Sequence, residues 1–162
     1  MSLDKEIQRA RQEIVSDGYD MSVGELMNLY RDREIEISPD FQRLFRWDES
    51  RKTRFIESLL LGIPIPPIFV YQNEEGVWEL IDGLQRLSTI FEFAGILRSP
   101  ENDHETYVPS ILEGTKYLPS LANKRCTDLS GDDTFTKNSG AGIRGTTRLT
   151  NLLPMAKTFF TP

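Results

Sequence analysis

One cysteine, one histidine and no long apolar run are what this 162-residue chain has least of, and each scarcity closes off a class of protein. Cys126 alone cannot form an internal disulfide, and His104 alone cannot complete the usual zinc spacings. No stretch approaches the ~18 apolar residues needed to cross a bilayer, and the opening Met1 to Glu6 lacks the basic start and apolar run of a secretory signal. A reduced cytoplasm is the expected setting, with no membrane partner. Positive charge is also short: 19 Lys and Arg stand against 25 Asp and Glu, for a net charge of −6 and a pI near 4.9. That balance argues against a protein whose main work is neutralising a DNA backbone, so nucleic-acid contact has to be local.

The one local excess of positive charge lies between Phe41 and Arg54, where Arg43, Arg46, Arg51, Lys52 and Arg54 face Asp48 and Glu49. With 38% hydrophobic residues the chain can build one core. We expect one domain over residues 1–130, then a flexible polar segment with a short apolar tail over residues 131–162. Gly, Thr, Ser, Asn and Asp dominate from Ser130 to Thr147, which leaves too little apolar surface to offset the entropy of ordering. Leu152, Leu153, Met155, Phe159 and Phe160 form the apolar patch after it.

Periodicity outlines the elements. Ile7, Ala10 and Ile14 at helical spacing predict an amphipathic helix over Asp4–Ser16, ending near Asp17-Gly18. Ser22-Val23-Gly24-Glu25 reads as a capping box opening a helix with Leu26, Met27, Leu29 and Tyr30. Period-two alternation over Arg33–Ile37 predicts a half-buried strand that Ser38-Pro39-Asp40 breaks. Asp48 is the expected N-cap of a helix burying Phe55, Ile56, Leu59 and Leu60 and stopping at Gly62. Pro64, Pro66 and Pro67 make a rigid connector to a strand at Ile68–Tyr71, and a turn over Asn73–Gly76 returns the chain as Val77–Ile81. A helix follows with Leu84, Leu87, Ile90, Phe91 and Ala94 on one face and Gly95 as its stop.

Two constellations carry chemistry. Asp82-Gly83-Leu84-Gln85-Arg86 joins strand to helix, and free N–H groups, a glycine and a guanidinium at such a junction suit a phosphate. In that reading Arg86 grips the phosphate, Gln85 meets a ligand edge or the attacking water, and Asp82 meets a metal-bound water or a ribose hydroxyl. The plainer alternative makes Asp82 an N-cap and Arg86 a surface charge. Phe41-Gln42-Arg43-Leu44-Phe45-Arg46-Trp47 is the second: its rings either stack a base or fill the core, with the core favoured, while Gln42 and Arg43 remain ligand candidates. His104 sits in a polar loop and Cys126 has no second histidine to activate it, so neither is expected to be catalytic.

Taken in order, Phe41-Gln42-Arg43, Phe45-Arg46-Trp47, Ser58 to Pro67, Gly76 to Gly83 and Gln85-Arg86-Leu87 resemble the N-terminal domain family of GmrSD-type type IV restriction endonucleases. The resemblance spans about Met21 to Ser130. It implies an α+β fold similar to ParB and sulfiredoxin, a small mixed sheet flanked by helices. It also implies a nucleoside triphosphatase module of modified-DNA defence that licenses a nuclease, with a nucleoside triphosphate, accompanied by magnesium, as cofactor. The family signature Asp-Gly-Gln-Gln-Arg carries over onto Asp82, Gly83, Gln85 and Arg86 as catalytic and phosphate-binding residues, with the upstream arginine at Arg43 beside Gln42. The first glutamine of the signature is Leu84 here, which leaves a phosphate grip but removes one amide suited to hydrolysis. Family members usually continue to a histidine-bearing metal nuclease, which a single loop histidine cannot furnish. The expectation is therefore a nucleotide-binding module with a nuclease-bearing partner, and the alternative is a non-catalytic ParB-like DNA-binding or regulatory module.

Overall fold

The computed structural model describes residues 2–13, 16–129 and 146–152, which fold as an α+β unit around one mixed sheet. Helix α1 (Leu3–Glu13) leads into β1 (Ser16–Ser22) and α2 (Val23–Arg31). Strand β2 (Ile35–Glu36), the one-turn α3 (Pro39–Gln42) and α4 (Glu49–Leu60) follow. Then come β3 (Ile68–Gln72), β4 (Trp78–Asp82), α5 (Leu84–Phe93) and β5 (Thr146–Leu152). The sheet order is β1-β5-β3-β4-β2. Strands β3 and β4 are the antiparallel hairpin, while β2 joins β4 in parallel and β5 joins β3 in parallel and β1 antiparallel.

Local chemistry accounts for most of these boundaries. The capping box of α2 forms as read: the Glu25 amide donates to Ser22 Oγ at 3.2 Å, and the Ser22 amide donates to Glu25 Oε2 at 2.6 Å. Asp48 caps α4 by accepting from the Arg51 amide at 2.8 Å. Phe55, Ile56 and Leu59 of α4 and Leu87, Ile90, Phe91 and Phe93 of α5 are buried in one core with Val23, Leu26, Met27 and Tyr30 of α2, and with Ile35, Ile68, Val70 and Leu80 of the sheet. Burying a side chain of this size contributes roughly 1.5–3 kcal/mol, so these two helix faces carry much of the fold.

Three expectations change. The first helix is described over Leu3–Glu13, with Ile14 outside the described residues, and Asp17-Gly18 lies inside β1, where pairing with β5 supplies the hydrogen bonds that a helix end would leave open. Ser38-Pro39-Asp40 starts a helical turn as well as ending a strand: the Phe41 amide donates to Ser38 Oγ, and proline suits the first helical position. Residues 146–152, which fall within the 131–162 segment, form β5 inside the sheet. The rest of the expected polar segment and apolar patch lies outside the described residues. Among the described residues, no helix is long and apolar enough to cross a membrane.

Candidate functional site

The two motifs meet, and Gln85 is the joint. Its Oε1 accepts from the backbone amides of Arg46 and Trp47, both at 3.0 Å, and its Nε2 donates to the Leu44 carbonyl at 2.6 Å. One side chain on the first turn of α5 thus satisfies three backbone groups of the 44–47 loop, which has no regular structure of its own to do so. The loop rests on rings turned inward: Phe41, Phe45 and Trp47 pack against the core, and Trp47 meets Phe55 edge-on at 5.7 Å. Arg43 and Arg46 are left exposed on it. Among the described residues Arg43 pairs with Asp40, at 3.3 Å, with 61% of its side chain in solvent.

Arg86 points elsewhere. Its Nη1 donates to the carbonyls of Pro66 and Pro67, and its Nη2 meets Asp82 Oδ2 at 3.2 Å, with only 14% of the side chain exposed. A proline-rich connector has carbonyls without enough local donors, and a planar fork with five N–H groups suits them. Asp82 itself is 67% exposed at the end of β4. Gly83 adopts φ +103°, and a Cβ there would stand 3.0 Å from Ile68 Cγ1, so backbone and packing both require glycine. Among the described residues, no side chain caps the α5 N-terminus at Gly83. Leu84, at the signature position of a glutamine, is 6% exposed and belongs to the core.

The remaining candidates separate from this centre. Gln42 is 4% exposed and donates to the Arg98 carbonyl, which joins α3 to the segment after α5. Lys52 is not part of the exposed basic patch. It is 7% exposed, with Nζ 2.9 Å from Glu49, 3.0 and 2.7 Å from the two oxygens of Glu92, and 4.9 Å from the Phe45 ring centroid. Burial works against the lysine's charge, yet its bonds to Glu92 and Glu49 outweigh that and raise its pKa; burial also raises Glu92 above the usual carboxylate range. His104 is exposed in the 99–105 loop, and burial pushes the Cys126 thiol up. Sequence reading missed the Lys52–Glu92 pair. Its one available signal was Glu92 on the apolar face of α5, between the buried Phe91 and Phe93.

Asp82 is a single exposed carboxylate, and no cluster of three or more metal-ligating side chains occurs among the described residues. Magnesium suits such a place when substrate phosphates complete its shell. Among known proteins, the family model described as the GmrSD restriction endonuclease, N-terminal domain, matches residues 23–147. No curated protein and no solved structure matches.

Proposed function

The chain belongs to the GmrSD restriction endonuclease N-terminal domain family, and from that membership we propose that it is the nucleotide-binding module of a modified-DNA restriction system. The phosphates of a nucleoside triphosphate lie between the 43–47 loop and the first turn of α5. Arg43, joined by Arg46, supplies the cationic grip, and the uncapped N-terminus at Gly83 adds backbone N–H donors and the positive end of the helix dipole. Asp82 holds the water shell of a magnesium ion carried in by the phosphates. Gln85 and Arg86 keep loop, connector and Asp82 in place. The observation that supports this reading is the Gln85 clamp, since it draws the arginine-bearing loop onto the helix N-terminus.

Leu84 fills the core where the family signature has an amide, so the module binds nucleotide without rapid hydrolysis and passes occupancy to a nuclease-bearing partner that acts on modified DNA. Titration with ATP, GTP, CTP and UTP, with and without magnesium, tests it. We expect saturable binding to at least one, weakened about tenfold or more in Arg43→Ala by loss of a charge-assisted contact, with little phosphate release. Equal affinity in Arg43→Ala would end this reading. Retained DNA binding that falls steeply with salt, with no nucleotide binding, would instead favour a regulatory DNA-binding module.

A further inference from the structure

Helices α2, α4 and α5 end in the same way. In α4 the Gly62 amide donates to the Leu59 carbonyl (3.1 Å) and the Ile63 amide to that of Ser58 (2.9 Å). In α5 the Gly95 amide donates to Glu92 (2.9 Å) and the Ile96 amide to Phe91 (2.9 Å), and in α2 the Arg33 amide donates to Tyr30 (3.3 Å) and the Glu34 amide to Leu29 (2.8 Å). Each is a Schellman motif, whose residue past the C-cap takes a left-handed backbone. Gly62 and Gly95 stand there at φ +69° and +73°, but α2 has Arg33 at φ +60°. A Cβ is disfavoured in that conformation, so the turn itself does not select arginine.

The Arg33 guanidinium opens onto a cleft of about 330 Å³ between the end of α2, α3 and residues 98–103. Arg98 forms the facing wall. Its guanidinium lies 4.4 Å over the Tyr30 ring, which stacks on Phe91 at 4.1 Å, and donates to the Tyr30 and Arg31 carbonyls at 2.8 and 3.2 Å. Both cations converge on one carboxylate: Asp103 stands 2.5 Å from Arg33 and 4.0 Å from Arg98. Asp103 comes from a surface loop and is itself 54% exposed, so an oxyanion from solution competes with it on similar terms. The cleft is much larger than one oxyanion, and Ile37, Pro39 and Pro100 offer it an apolar wall. Glu36 and Glu101 also line it, which disfavours multiply charged anions.

We propose that this cleft is a second binding site, for a small organic oxyanion whose head replaces the Asp103 carboxylate between Arg33 and Arg98 and whose apolar body lies against Ile37, Pro39 and Pro100. It does not depend on the phosphate site at the α5 N-terminus. Benzoate and phenyl phosphate, titrated separately onto the full chain and followed by amide NMR shifts, test it and tell a carboxylate from a phosphate head. Removing the resident competitor in Asp103→Asn should tighten binding of at least one of them about tenfold. Adding Arg33→Gly should lose that gain without lowering the melting temperature, because glycine suits the backbone at this position. Arg43→Ala should leave the benzoate titration unchanged. Failure of both compounds to bind Asp103→Asn would overturn the inference, as would equal binding with and without Arg33→Gly. Binding lost in Arg43→Ala instead would place the anion at the α5 site, refuting the second site while leaving the proposed function intact.

Discussion

At single residues, one side chain often answers a demand that its sequence neighbours do not reveal. Gly83 could serve a ligand's approach, but φ +103° and Ile68 at 3.0 Å already require it. Gly83→Ala should therefore destabilise by about 1–3 kcal/mol in denaturant unfolding, whether or not nucleotide is present. The Lys52–Glu92 pair is sharper still, because each side chain is only 9% exposed. Lys52→Met leaves a buried carboxylate unpaired and should cost about 3 kcal/mol or more, whereas Lys52→Met with Glu92→Leu should recover most of that loss. A double-mutant cycle measures the difference, and equal losses in the single and double variants would refute the pairing.

Whole elements are held by a few end contacts. Ser22→Ala removes the α2 cap and should cost about 1 kcal/mol. The 44–47 loop depends on the Gln85 amide for three backbone bonds. Gln85→Met keeps the side chain's length but not those bonds, so amide exchange at Arg46 and Trp47 should accelerate markedly while the centre of α5 stays protected. Unchanged protection at Arg46 and Trp47 would mean that the loop is ordered by its buried rings alone.

Over the molecule as a whole, two surface carboxylates tie stability to acid pH. The backbone and side chain of Ser22 hold Glu25 below its ordinary pKa, and the bond from Arg33 does the same for Asp103. A depressed folded pKa contributes stability that is complete above the unfolded values, about 4.3 for Glu and 3.9 for Asp, and is lost as pH falls through the folded ones. Chemical denaturation between pH 6 and pH 3 should show stability falling below about pH 4, with a shallower fall in Glu25→Gln. An identical acid limb in that variant would rule out the capping carboxylate. The helix faces, the α2 capping box, the Asp48 cap, the β3–β4 turn and the family signature were legible in residue order, because each rests on residues a few positions apart whose chemistry is local. That Gln85 clamps a loop some forty residues away, that Arg86 faces prolyl carbonyls, that Lys52 is buried and that Arg33 and Arg98 share Asp103 emerges from the folded chain alone. Those outcomes turn on which groups from distant segments share one small, poorly solvated space, and residue order does not specify that distance.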